Sequence, residues 1–321
     1  MATVGLLPAA AFVLERRTRR AQVARIPPGT AASPGGEAVG FNVSGPEDAT
    51  PPAIVLLPGA GDSAASWALV EGRLKGSHRV LTYERSPHGA GAAREAHLAG
   101  LVKQLDDMLD GSDPVLLVGH SFGGLLARAY AATHPDRVAG LVLVDATPPA
   151  IANDPGVAVG FAISAGLARA LRALSPFGVV RAMVALNAMP LYPEQRRFRR
   201  ATTADAYRRW ATAVSAGFAG GAAEELAAVL PDVRAFVASA PGPLQRPVGL
   251  VYSRAYGPKW EQMQRDVATE LAAVSVAATR ERHHNIQMSR PDLVEHSIVD
   301  VLKRLSPPAP EHFTRGDGES D

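Results

Sequence analysis

Apolar residues gather in short, nearly unbroken runs along the first half of the chain: Ala53 to Leu57, Val80 to Tyr83, Val115 to Val118 and Leu141 to Val144. None shows the strict alternation of a half-buried strand, and segments of helix length separate them. Strands covered on both faces by crossover helices need this composition, so the runs predict parallel βαβ units. Phe122 to Thr133 carries Leu125, Leu126, Ala129 and Ala132 at helical spacing and fits one crossover. Upstream, Ile26 to Pro52 is rich in Pro, Gly, Ser and Thr. It reads as a linker with one edge strand, Ala38 to Val43.

The strand rhythm stops at Thr147. From there to about Leu230 the composition is helical, with Leu167, Leu171 and Leu174, then Tyr207, Trp210 and Val214, and with Pro155, Pro176, Pro190 and Pro193 as boundaries. The rhythm then returns. Val248 to Tyr252 predicts a strand, Trp260 to Ala273 a helix and Val274 to Ala278 the last strand. Pro291 to Leu305 predicts the last helix, with Pro291, Asp292 and Glu295 favouring its N-terminus. The expectation is an α/β fold: a mostly parallel sheet built from residues 38–146 and 247–305, with a helical cap, residues 147–246, inserted after the sixth strand. Residues 1–37 form an N-terminal apolar segment and linker, and residues 306–321 a Pro-, Gly- and acid-rich tail expected to be disordered.

Candidate chemistry sits where strands end. Gly119-His120-Ser121-Phe122-Gly123-Gly124 follows one apolar run and opens a helix. A serine on so tight a strand-to-helix turn has its hydroxyl thrust from the sheet edge, and the residues two before and two after it have no room for a side chain. Ser121 is therefore the candidate nucleophile. Pro58-Gly59-Ala60-Gly61 follows the first run, where the backbone N–H groups of Ala60 and Phe122 could converge as an oxyanion hole. Of nine histidines, His283 and His284 lie just past the last strand, and His284 is the preferred base, with His283 its rival. The acid that would orient it is expected at Asp145, which ends the run Leu141 to Val144; Glu261 is the alternative.

The segments LLPGAGDSAASW, YERSPHGAG, VGHSFGG, LVLVDA and HHNIQMSRPDLV resemble the α/β-hydrolase superfamily over Ala38 to Leu305. That resemblance implies a serine hydrolase with a helical cap. It aligns His284, not His283, with the catalytic histidine, and in one subset of the superfamily the acid follows the sixth strand as Asp145 does. Two departures stand out. Pro58-Gly59 replaces the usual His-Gly, which leaves backbone donors available, and Glu84 replaces an Asp, which is read as structural. The superfamily includes esterases, lipases, amidases, lactonases, carbon–carbon bond hydrolases and non-catalytic binders, so fold alone does not choose. Ser121 argues against the haloalkane dehalogenases and most epoxide hydrolases of this fold, which use Asp.

Composition narrows the picture further. With 47% apolar and 20% charged residues in 321, the body of the chain can bury a core. A net charge of +2 argues against a nucleic-acid partner, and the clusters Arg16 to Arg20 and Arg196 to Arg200 read as solvated faces. The absence of Cys excludes disulfides and a thiol nucleophile, and the His283–His284 pair lacks a third ligand, so neither metal nor cofactor is expected. The resulting reading is a carboxylic-ester hydrolase acting on a hydrophobic small molecule, with Trp210, Met183 and Tyr207 as substrate-binding candidates in the cap. A carbon–carbon hydrolase and a non-catalytic ligand-binding protein are the alternatives. Ala2 to Leu14 is apolar but short of a bilayer span, and three readings stay open: a shortened anchor, an interfacial helix or a packed helix. A cytoplasmic location is expected, with membrane association through residues 2–14 left open.

Overall fold

Eight strands form one sheet in the order β1-β2-β4-β3-β5-β6-β7-β8. They are β1 (Thr30–Ala32), β2 (Ala38–Ser44), β3 (Ile54–Leu57), β4 (Val80–Glu84), β5 (Val115–His120), β6 (Val138–Val144), β7 (Val248–Ser253) and β8 (Ser275–Thr279). The computed structural model describes residues 30–32, 38–84, 97–109, 113–281 and 283–305. The apolar segment 2–14, the Arg16 to Arg20 cluster, the end of YERSPHGAG and the tail expected after residue 305 lie outside them.

All six strands predicted as buried parallel runs are present, and β3 through β8 pair in parallel. One expectation is corrected. The strand at Ala38 is not an edge: it pairs antiparallel with β4 on one side and with β1 on the other. The short β1 carried no apolar pattern to announce it.

Helices cover both faces. Against one pack α1 (Ala68–Leu74) and α11 (Pro291–Leu305), burying Trp67, Val70, Val294, Ile298 and Val301 against Ile54, Leu56, Val118 and Val142. Against the other pack α2 (Leu98–Met108), α3 (Phe122–Thr133) and α9 (Pro258–Glu270), with Leu101, Leu105, Leu125, Tyr130 and Met263 meeting Val55, Leu117 and Leu143. A short α10 (Ile286–Ser289) precedes α11. The predicted bounds of α3 and α11 match, whereas α9 begins two residues earlier than expected because Pro258 occupies its first turn.

Between β6 and β7 stand α4 (Pro155–Leu174), α5 (Val179–Ala185), α6 (Gln195–Ala201), α7 (Ala204–Ala219) and α8 (Ala222–Ala238). This is the expected helical cap after the sixth strand. Its last helix runs through Pro231 rather than stopping near Leu230; Pro231 is on the exposed side, where the chain tolerates the lost N–H donor. The cap owns a core of Leu171, Val180, Phe198, Trp210, Val214 and Phe218.

Candidate active site

Ser121 stands between β5 and α3 with φ 51° and ψ −119°, a conformation that costs a non-glycine residue roughly 1–3 kcal/mol. Ser121 N–H donates to Val144 O at 3.0 Å, and its carbonyl accepts from the N–H groups of Gly124 and Thr147 at 2.9 and 3.0 Å. These bonds hold the strained turn. The glycines beside it are sterically required: a Cβ on Gly119 would stand 2.3 Å from the Gly123 carbonyl oxygen, and one on Gly123 2.3 Å from that of Leu57. The Ser121 side chain is half-buried, at the carboxyl edge of the sheet.

Asp145 occupies the matching edge position one strand over. It is fully buried, also at positive φ (42°), and its N–H donates to Val251 O at 2.7 Å. Its Oδ2 accepts from His284 Nδ1 at 2.8 Å. Its Oδ1 accepts from Trp260 Nε1 at 2.9 Å and from the Ser253 N–H at 3.1 Å. Three donors thus answer one buried carboxylate, as burial of a charge demands. The rival acid Glu261 lies elsewhere, paired with Arg265 at 2.7 Å and Arg254 at 3.3 Å.

His284 is half-buried among rings: its centroid lies 4.6 Å from that of His120, 6.0 Å from Tyr256 and 6.4 Å from Trp260. Desolvation alone would lower its pKa. The hydrogen bond and charge of Asp145, with the charges of Glu194 and Asp62, outweigh it and raise the pKa above its ordinary value. The rival His283 faces Glu194 at 3.9 Å, away from Asp145. His120 is buried, and its Nε2 bonds the His284 backbone carbonyl at 3.0 Å, tying the histidine loop to the serine turn. Among the described residues no hydrogen bond joins Ser121 Oγ to the His284 ring, a looseness common before a ligand draws such groups together.

The turn after β3 is gripped from the cap. Gly61 N–H donates to the buried Glu225 Oε2 at 2.7 Å, and Tyr192 Oη donates to the Gly61 carbonyl at 3.1 Å, with Asp62 Oδ1 at 3.3 Å. Neither the Ala60 nor the Phe122 N–H has a partner among the described residues, so both remain available to a ligand. Glu84, read as structural, accepts the Ala64 N–H at 2.9 Å and ties β4 to the segment leading into α1.

Glu194, which opens α6, is a cap carboxylate at the histidine loop. It is buried, accepts a hydrogen bond from Asn285 Nδ2, and desolvation pushes its pKa up to about 7. Sequence reasoning missed Glu194, Glu225, Trp260 and Ser253. No local pattern marks them, and each contacts the site from far along the chain. Trp210 takes a different place from the one expected. It is fully buried in the cap core, edge-on to Tyr192 and Phe198, and presents no surface to a pocket. Met183 and Tyr207 are half-buried at the rim of that core, with the Tyr207 hydroxyl bonded to Gln195. Among the described residues no group of three His, Asp or Glu is placed to hold a metal.

A serine on a strand-to-helix turn, beside a His–Asp pair at the carboxyl edge of a parallel sheet, has the architecture of an α/β hydrolase. The chain belongs to the alpha/beta hydrolase family, whose model matches residues 54–297. It is similar to lipase LipV of Mycobacterium tuberculosis, 47% identical over 75 residues that make up 23% of this chain and 27% of that one. It is also similar to the sn-1-specific diacylglycerol lipase ABHD11 of Mus musculus, 39% identical over 131 residues, 37% and 39% of the two chains. The match thus spans well under half of either relative. Among solved structures, the enol-lactonase from Burkholderia xenovorans superposes with a TM-score of 0.61 at 21% identity, over 85% of this chain and 99% of that one. That likeness speaks for the fold.

Proposed function

We propose that this protein hydrolyses a carboxylic ester of a hydrophobic small molecule through an acyl-enzyme on Ser121. The observation that carries the reading is the 2.8 Å bond between His284 Nδ1 and Asp145 Oδ2 at the sheet edge where the half-buried Ser121 stands. With Nδ1–H donated to the carboxylate, His284 Nε2 is left as an acceptor able to take the Ser121 proton. Oγ then attacks the ester carbonyl, and the Ala60 and Phe122 N–H groups receive the oxyanion, each such donor being worth about 3 kcal/mol in the transition state. His284 returns the proton to the departing alcohol. A water deprotonated by the same ring then releases the acid and restores Ser121. The lipase names of the two relatives agree with ester cleavage.

A fluorophosphonate probe tests the reading. It should label the wild type at Ser121, and Ser121→Ala should lose the label and roughly 10³-fold or more of ester turnover. Labelling elsewhere, or turnover that survives Ser121→Ala, overturns the mechanism. A folded protein that neither reacts nor turns over esters, yet retains a ligand beneath the cap, is a binding protein instead.

A further inference from the structure

The cap turns outward a face unlike the rest of the surface. Among the described residues ten large hydrophobic side chains are exposed, and five of them lie in the α4–α5 region: Val159, Ile163, Leu174, Phe177 and Leu186. The first four fall on one line. Val159, Ile163, Gly166, Ala170, Leu174 and Phe177 advance by three or four residues along a helix that continues past α4 to Phe177, so they form an outward apolar stripe. The opposite stripe, Ala165, Ala168 and Leu171, is buried. By length and composition Pro155–Phe177 could cross a membrane. Its inner side instead packs on α8 and α7, and its capping Asp154 is tied to Lys259 of α9 at 2.6 Å, which holds it on the domain.

Charge sharpens the picture. Residues 147–246 hold eleven arginines, no lysine and six acids. Four of those acids, Asp154, Glu194, Glu225 and Asp232, are buried, so nearly all the cap's outward charge is positive. Residues 155–193 contain Arg169, Arg172 and Arg181 and no acid at all. Arg172 meets Glu224 from α8, whereas Arg169 is exposed beside the stripe. An apolar helical face bordered by arginines suits the boundary of an anionic bilayer, with aliphatic side chains among the acyl carbons and guanidinium groups on phosphates.

We propose that this outer face of the cap, along Val159 to Phe177, seats the protein peripherally on an anionic lipid surface. A second copy of the chain fits less well: two-fold pairing of this face would set arginine against arginine, with no acid on the segment to answer it.

Flotation of the full chain with vesicles tests the proposal, using phosphatidylcholine alone or with one-third phosphatidylglycerol. Binding should favour the anionic vesicles and weaken with salt. It should fall by about 10-fold or more in the double variant Ile163→Glu, Phe177→Glu, with melting temperature and turnover of a soluble ester unchanged. The milder pair Ile163→Ser, Phe177→Ser serves if the glutamates disturb folding, and should also weaken binding. Wild type without preference for anionic vesicles, or folded variants that bind as well as wild type, overturns the proposal. Loss of binding on deleting residues 1–25 while the cap variants bind normally overturns it too. A dimer that the same substitutions convert to monomer, with no vesicle binding, assigns the face to self-association and overturns it. Vesicle binding by a chain that hydrolyses no ester supports this inference and sinks the proposed activity, so the two fail separately.

Discussion

Asp145 and His284 are 139 residues apart in the chain, and their side chains meet at 2.8 Å. The carboxylate that makes this contact is buried, with its other oxygen held by Trp260 and Ser253, so it cannot rotate away to solvent. Removing its charge should leave the imidazole without its tautomer partner. Asp145→Asn should lower kcat roughly 10²–10⁴-fold with little change in circular dichroism, whereas Glu261→Gln should be near neutral. Reversed outcomes would move the acid to α9.

The same contact sets a pH dependence. The pKa of His284 is raised above 6.5 because Asp145, Glu194 and Asp62 favour the protonated ring more than desolvation opposes it. The base is lost when that ring is protonated, so kcat/KM should rise with pH through a value above that of an unperturbed histidine. In Asp145→Asn the limb should move to lower pH. A pH–rate profile of the two proteins checks this, and an unmoved limb would assign the titration to another group.

Glu194 makes the opposite kind of prediction, on stability. Its pKa is pushed up from 4.5 to about 7, so between those values the folded protein holds a proton that the unfolded chain releases. Stability from this group is then full below the unfolded pKa and lost as pH rises through the folded one, by about 3 kcal/mol at most. Glu194→Gln keeps an acceptor for Asn285 and never ionises. Its melting temperature should match wild type below about pH 5 and exceed it above about pH 8. A gap that does not change with pH would show that burial leaves the Glu194 titration where it is in the unfolded chain.

Gly61 is held by Glu225 through its N–H and by Tyr192 through its carbonyl, so the cap fixes two successive peptides beyond Ala60. Truncation to Glu225→Ala leaves a buried N–H unanswered, a loss of about 1–3 kcal/mol. It should lower kcat about 10- to 100-fold with KM little changed, since the misplaced donor matters most when the oxyanion forms. Glu225→Gln, which retains an acceptor, should recover most of the rate. Tyr192→Phe should cost roughly 3- to 10-fold. Equal losses in Glu225→Gln and Glu225→Ala would point to the charge rather than the hydrogen bond.

The sheet, the turn and the histidine loop are legible before any folding is known, because each is written in contiguous residues. Strands buried on both faces need unbroken apolar runs, and Ile54 to Leu57 or Val115 to Val118 can be read without knowing their neighbours. The Ser121 turn needs glycine two residues to either side, and Gly119 and Gly123 supply it locally. Which partners meet across the chain depends instead on how the folded segments pack. Asp145 and Glu261 were both open until β6 and β7 laid the first beside His284 and left the second to arginines. Trp210 carries an aromatic ring suited equally to a pocket or a core, and packing against Tyr192 and Phe198 assigned it to the core. Glu194 and Glu225 look like ordinary helix-surface acids in the sequence. They become buried anchors because Asn285 and the Gly61 N–H, 91 and 164 residues away, are brought to them by the closing of the cap on the sheet edge. Hydrophobic pattern records how much of a side chain is covered, whereas a hydrogen bond between distant segments depends on where the covered surfaces finally meet.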